Sequence, residues 1–424
     1  MEKKGEPFMK LNFGITYNIE IEVSQLAISE LIREIKKVVV QFAKVVFLML
    51  IEQIDKYIVE QIREQSLELR CPVCGGKEFT FKGVRKDCRK IKTSVGELNF
   101  PHLQMIRCKS CEHRYAPLLQ VLGIERWQRV TLELKMKAVY SALHTTYRWA
   151  RRITNKVLEI NISTMSVWRA VQKFGSKMEF KVLEGEEGVF EADGTGIPIR
   201  GSGKRGKEMK LLVQHSKDGS IKLVEIGIGL YKSGWDFMST RFKEIGKIFK
   251  EVQLVTDGDN NIIEVAREYV SGIIFQRCLW HMWHQLRVVL WAEGIKRSSK
   301  VYKEISSKLF SIITVRGRLK REEIDEKKIE EKESRLKELI GYCENKGLEK
   351  VAKYLSASSE YLFNFADKKL PFKKLVKTDS LIERMMREIN FRINVAGSWS
   401  DRGALNITKL RLGLIYNKIE LEDI

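Results

Sequence analysis

Two cysteine pairs of identical spacing, Cys71-x2-Cys74 and Cys108-x2-Cys111, constrain this chain more than any other feature. Each pair presents two thiolates from a tight turn, and two such turns facing one another give the tetrahedral S4 shell that zinc prefers. Gly75 and Gly76 follow the first pair and let the backbone fold around an ion. The runs between the pairs, Phe79–Phe81 and Glu97–Phe100, are short and β-prone, too thin to hold a core unaided. Ligation would supply what the missing core cannot, about 10–16 kcal/mol in small zinc peptides. The expectation is a zinc ribbon over 70–120 with one structural Zn²⁺, and free thiols or a redox pair as the alternative. His102 and His113 lie near, but four cysteines already close the shell.

Between the pairs, KGVRKDCRKIK (82–92) carries six Lys/Arg in eleven residues. It reads either as a solvated hairpin or as a phosphate-contacting tip built from Arg85, Lys86, Arg89 and Lys90. Composition bears on the choice: 76 Lys and Arg against 55 Asp and Glu give a formal +21, which points to a polyanionic partner. An anionic membrane surface is the second option. The most apolar run, VVVQFAKVVFLMLI at 38–51, spans only about 21 Å as a helix and contains Lys44, short of the roughly 30 Å of a bilayer core. No export signal is visible at the N-terminus, and seven cysteines with two CxxC pairs suit a reducing compartment. A cytoplasmic, nucleoid-associated protein without a membrane partner is expected.

From Ser24 to about Gln65 the pattern is helical, with Leu31, Ile35, Val38, Phe42, Val45 and Met49 on a wide apolar face that needs a partner. Region 1–69 is therefore expected to pack on the rest of the chain or to self-associate. Region 121–180 holds helical segments at 131–143, 146–158 and 163–177. The last two, TYRWARRITNKVLEINISTMSVWRAVQKFGSKM, look like a helix-turn-helix. Ser163 or Thr164 would cap the second helix, Ser166, Arg169 and Lys173 would face DNA, and Trp168 and Val171 would pack inward.

Residues 188–285 read as strand, strand, strand, helix, strand, helix, strand, helix, with strands in VFEADG, MKLLVQHS, KLVEIGIGLY, VQLVTDG and GIIFQRC. GSGKRGK (201–207) fails the phosphate-loop template and reads as a basic hairpin tip carrying Lys204 and Arg205, candidates for DNA contact. Asp193 lies near the end of the first strand and Asp257 at the end of the fourth, with Glu191 on the same strand face as Asp193 and Asp259 in the turn. In a ribonuclease-H-like sheet those strands are neighbours, so the two carboxylates would meet at one edge and favour a divalent cation between them. Taken singly, an Asp before Gly is more often a turn former. Residues 294–375 are helical and rich in Lys and Glu, a solvated face, and a helix near 379–396 precedes a Gly/Ser/Trp-containing tail.

EADGT, VTDGD, Cys278-Leu-Trp-His281 and TDSLIERMMREI (378–389) together resemble the Mutator-like DDE transposases and their bacterial and archaeal insertion-sequence relatives. The resemblance implies a mixed α/β chain. Its ribonuclease-H-like catalytic domain (188–293 and 376–424) would be interrupted by an all-α insertion (294–375). Asp193 and Asp257 match the two family aspartates, Cys278 and His281 the Cys-x2-His signature, and Glu383 the catalytic glutamate, while Ser380 and Met386 depart from the usual asparagines. It further implies two Mg²⁺ (or Mn²⁺) ions on Asp193, Asp257 and Glu383, double-stranded DNA as partner, and a homodimer or larger assembly without a small-molecule cofactor.

The alternative for Glu383 is a surface pair with Arg387, worth only about 0.3–0.5 kcal/mol, with Glu388 as the fallback carboxylate. In QRCLWHMWHQL (276–286) a helix is expected to begin near Leu279, so that Cys278, His281 and His284 stand on successive turns. A zinc site of those three would need a fourth ligand; the family resemblance instead places His281 near the carboxylates, with Cys278 packed beneath it. Trp280 and Trp283 read as core aromatics rather than base-stacking platforms. The chain is expected to cleave and join DNA as an insertion-sequence transposase, the alternatives being a transposase-derived DNA-binding regulator and a ribonuclease-H-like structure-specific nuclease.

Overall fold

The computed structural model describes residues 27–85, 89–100, 103–125, 127–202, 206–231, 233–314, 324–367, 370–372 and 375–424. Lys86, His102, Lys204 and Arg205 lie outside them, as does the start of the N-terminal region. The chain is mixed α/β and forms two compact units: residues up to Ala142 with Tyr147–Ala170, and Leu143–Thr146 with Val171–Ile424.

The first unit opens with helix α1 (Ile28–Arg63), followed by strands β1 (Phe79–Val84), β2 (Arg89–Thr93), β3 (Gly96–Phe100), β4 (Gln104–Cys108) and β5 (Arg114–Tyr115) and a short helix α2 (Pro117–Val121). The second half of α1 buries Ile51 and Ile58 against Ile91, Phe100, Leu103 and Leu118, and Phe47 stacks on Phe100 at 6.3 Å. Thus α1 does pack on its own chain. Its first half keeps Ile28, Ile32, Ile35, Val39 and Phe42 exposed. No helix among the described residues is long and apolar enough to cross a membrane.

Helix α3 (Leu132–His144) leads to α4 (Tyr147–Leu158) and α5 (Thr164–Lys177). The turn between α4 and α5 is closed by Asn155, whose Oδ1 accepts from the Ile162 amide at 3.0 Å and whose Nδ2 donates to the Ile162 carbonyl at 3.2 Å. Ser163 caps α5 as expected, its Oγ accepting from the Ser166 amide at 3.0 Å. Trp168 corrects the sequence reading: it is 38% exposed, because the buried stripe of α5 runs through Val167, Ala170, Val171 and Phe174 and position 168 falls beside it.

The second unit is built on a five-stranded sheet. Its elements are β6 (Val189–Ile197), β7 (Lys207–His215), β8 (Ile221–Leu230), α6 (Ser239–Ile248), β9 (Val252–Thr256), α7 (Asn260–Tyr269), β10 (Ile273–Arg277) and α8 (Leu279–Ala292). The order is β10-β9-β6-β7-β8, with β10, β9 and β6 parallel and β7 and β8 antiparallel. Every residue of β9 is buried, as its unbroken VQLVT run requires of a central strand covered on both faces. On one face Phe190, Ala192 and Leu254 pack against Phe242 and Ile245 of α6 and Ile262 and Ala266 of α7. Val189 and Val255 point to the other, against Cys278, Leu370, Phe372 and Val376. Alternation along β6 therefore directs Glu191 and Asp193 to this second face.

Helices α9 (Lys300–Ile313), α10 (Glu326–Asn345) and α11 (Glu349–Ser359) pack on α8 through Leu286, Leu290, Ile305, Leu309, Leu339 and Leu355. Where this block returns, Gln276 grips it: Nε2 donates to the Leu362 carbonyl at 2.8 Å and Oε1 accepts from the Phe365 amide at 2.8 Å. The Arg277 amide bonds the Tyr361 carbonyl (2.8 Å) and the Leu279 amide the Lys377 carbonyl (3.1 Å). Helix α12 (Ser380–Ile393) then lies beside β6. The expected tail is instead mostly helical, α13 (Asp401–Leu412), because Ser400 caps it by accepting from the Gly403 amide at 3.1 Å.

Candidate metal centres

Turns 71–76 and 108–113 bring the four cysteines of the first unit together: Cys71 Sγ lies 3.5 Å from Cys111 Sγ, and Cys74 Sγ 3.5 Å from Cys108 Sγ. All four sulfurs fall within 4.8 Å of one another. Tetrahedral ligation at 2.3 Å per bond separates sulfurs by about 3.8 Å, so the cluster could hold a metal ion with little adjustment. The Cys111 and Ser110 amides pull the Cys108 thiol down to about 6, favouring the thiolate that ligation needs. His113 stacks on Tyr115 at 5.7 Å and is not in the cluster. Of the basic connector, Arg85 and Lys90 are exposed. Arg89 is not: its guanidinium is half-buried and donates to the carbonyls of Glu125 and Gln128 at 2.7 and 2.8 Å, a structural tether instead of a free cation. Arg169 is exposed on α5 and Lys173 half-buried.

In the second unit, β6 and β9 pair Val189 with Gln253, Phe190 with Leu254 and Glu191 with Val255. Continuing that register by two residues brings Asp193 beside Asp257, which lies just past the end of β9 and whose charge acts on Asp193. Both carboxyls are raised from their ordinary 3.8, Asp193 by burial and then by the Asp379 charge, Asp257 chiefly by burial. Glu383, in the first turn of α12, comes to this edge through His281, whose Nε2 lies 3.3 Å from Glu383 Oε1. One ligand atom each from Asp193, His281 and Glu383 lies within 4.8 Å of the others. The surface pair with Arg387 weighed as an alternative gives way to this contact of Glu383 with His281. Glu388 faces elsewhere and is held by Arg411 Nε at 3.1 Å.

Cys278 is the N-cap of α8 and fully buried, as expected. Its Sγ accepts from the His281 amide (3.4 Å) and donates to Asp379 Oδ1 (3.0 Å), and burial pushes the thiol up to about 11. Asp379 Oδ2 accepts from His281 Nδ1 at 2.8 Å. His284 does not join this line: it bonds Arg287 and packs on Trp280 at 3.8 Å, so the Cys278–His281–His284 alternative that lacked a fourth ligand does not form. Trp280 is 46% exposed, against expectation, while Trp283 packs on the helical block.

Asp379 and Glu191 are the residues that sequence reasoning left without a role. Asp379 sits at the N-cap of α12 but makes no cap hydrogen bond, both its oxygens being taken by Cys278 and His281. Glu191 makes the cap from a distance, accepting the Ile382 amide at 2.9 Å, while its other oxygen meets His215 Nε2 at 2.7 Å. Burial raises the Glu191 carboxyl. A buried acid among strand residues, aligned with Asp193, was the signal available for it.

No curated protein matches the sequence. A family model described as an uncharacterised protein family, UPF0236, matches residues 22–416, and the chain belongs to that family.

Proposed function

We propose that the protein is a DNA transposase of an insertion sequence, of the Mutator-like DDE type. The observation that carries the reading is the gathering of ligand atoms of Asp193, His281 and Glu383 within 4.8 Å, with Asp257 just past the end of β9, the strand beside β6, where its charge acts on Asp193. The fold supports it, because strand order β10-β9-β6-β7-β8 with one helical block before α12 is the arrangement expected of a ribonuclease-H-like domain with an all-α insertion. The donor set also fits divalent cations. Three acidic groups share a half-buried edge with one imidazole, and hard oxygen anions so placed suit Mg²⁺ or Mn²⁺.

In this reading Asp193, Asp257 and Glu383 hold two such ions. When bound, the ions would polarise a phosphodiester and activate the attacking oxygen, first water and then a 3′-hydroxyl. Glu191 fixes the start of α12 and so the height of Glu383 over β6. Cys278 and Asp379 fix the imidazole of His281. The four cysteines of the first unit hold one Zn²⁺ in a ribbon, and α4 and α5 act as a helix-turn-helix with Arg169 toward double-stranded DNA. Joining two element ends requires two copies of the chain.

The test uses duplexes of the genomic DNA flanking the coding sequence, labelled at one end, with purified protein and Mg²⁺ or Mn²⁺. Cleavage at the element boundary and joining to a target plasmid are expected, both lost in Asp193→Asn and Glu383→Gln with binding retained. Cutting without joining would indicate a structure-specific nuclease, and binding by the wild type with neither cutting nor joining a regulator.

A further inference from the structure

We infer that His281 is itself a metal ligand, forming through Nε2 an Asp193–His281–Glu383 site that selects first-row transition cations, Mn²⁺ included, over Mg²⁺. The inference rests on the carboxylate site proposed above and names the class of cation that site prefers.

The imidazole is oriented like that of a metal-bound histidine. Its Nδ1–H is given to Asp379 Oδ2 at 2.8 Å, and Asp379 is itself buried and held by the Cys278 thiol at 3.0 Å. A carboxylate on one ring nitrogen sets the tautomer, leaves the lone pair on the other, and raises its basicity as a ligand. That other nitrogen, Nε2, faces Glu383 Oε1 at 3.3 Å, within a cluster that includes an Asp193 oxygen. The arrangement removes Asp379 from its ordinary duty. An Asp at an N-cap normally accepts an amide of the first turn. Here Glu191 does so from β6, and Asp379 is left to hold the ring.

A second group of ligand atoms, on Cys278, His281 and Asp379, is the weaker candidate. It is an internal hydrogen-bond chain in which the thiol donates and both Asp379 oxygens are engaged, with Cys278 fully buried. The Nε2 side has two carboxylates, one imidazole and partial exposure of Glu383 and His281. Mg²⁺ prefers an all-oxygen shell with several waters, whereas an imidazole ligand favours the first-row transition cations, least for Mn²⁺ and more for those after it.

The test is Mn²⁺ binding by the full-length, zinc-loaded chain without DNA, followed by pulsed electron paramagnetic resonance on protein carrying ¹⁵N-histidine. Expected is a directly bound ¹⁵N coupling that disappears in His281→Gln. Mn²⁺ affinity should fall tenfold or more in that variant while Mg²⁺ affinity holds. Asp379→Asn should keep the coupling but weaken Mn²⁺ by about 10–100-fold. Bound Mn²⁺ without nitrogen coupling in the wild type overturns the inference, as does failure of the wild type to bind Mn²⁺. Neither readout uses DNA. Loss of the coupling alone leaves DNA cleavage and its dependence on Asp193 intact, whereas cleavage indifferent to Asp193→Asn removes the transposase reading and leaves the cation site standing.

Discussion

Removing one of the converging charges should stabilise the metal-free protein. Continuing the β6–β9 register by two residues sets Asp193 opposite Asp257, just past the end of β9, and adjacent strands lie about 4.8 Å apart. Two unit charges about 5 Å apart at an effective dielectric constant near 20 repel by about 3 kcal/mol. His281, in the same cluster, offsets part of this, leaving a penalty of about 1–2 kcal/mol. Asp193→Asn should therefore raise the thermal midpoint in EDTA at pH 7.5 by about 3–6 °C, for a unit of this size. The sign with pH follows from the raised carboxyl of Asp193. Below its ordinary 3.8 both folded and unfolded chains hold the proton and no penalty exists. As pH rises past 3.8 the unfolded chain releases its proton first, so the penalty grows until the folded pKa is passed and then stays constant. The stabilisation by Asn should thus shrink toward zero near pH 3.5. Saturating Mn²⁺ should reverse the order: at a hundred times its dissociation constant it adds about 2.7 kcal/mol to the wild type, and less to the variant. Scanning calorimetry of both proteins across pH, with and without Mn²⁺, measures all of this. An Asn variant that melts at or below the wild type in EDTA at pH 7.5 would refute the reasoning.

Three further outcomes are expected. Metal analysis should find one zinc per chain and none at that site in Cys108→Ser, with the first unit becoming sensitive to protease, since ligation carries the fold of so small a ribbon. Glu191→Ala strands His215 and the Ile382 amide without their acceptor and should cost about 3–5 kcal/mol in urea unfolding. Glu191→Gln keeps an acceptor for Ile382 and should lose clearly less; equal losses would count against the remote cap. At Gly188 an added Cβ would meet the Glu251 carbonyl oxygen at 2.6 Å, so Gly188→Ala should cost about 1–3 kcal/mol in the same assay.

The βββαβαβ order was legible because each strand carries an unbroken or alternating apolar run; Asp257 does stand at the end of its strand, but β6 runs on through Gly194 to Ile197, so Asp193 lies mid-strand and not near the end as its Asp-Gly step suggested. Asp193, Asp257, Cys278, His281 and Glu383 are brought to one face of the sheet or its edge. Asp379 was not legible, because its part depends on Cys278 and His281, 101 and 98 positions away in sequence. Locally it looks like a cap. Glu191 was seen only as a neighbour of Asp193; its partners come from β7 and α12, and no local pattern connects them. Trp168 and Trp280 were assigned inward on the habit of large aromatics, but helical position decides burial, and both lie off the buried stripe. Helix α13 was obscured by Gly403 and Ser400, which read as loop residues until Ser400 is seen to close the first turn.

The grip of Gln276 on Leu362 and Phe365 makes the helical block a cassette with a fixed socket. The block also backs α8 through Leu286 and Leu290, so the helix that carries His281 rests on α9, α10 and α11. An engineer can therefore hang a fluorophore or affinity tag on the exposed side of α10, while any exchange of the cassette has to keep the apolar face that meets α8. Cutting the grip with Gln276→Ala should let Glu383 drift.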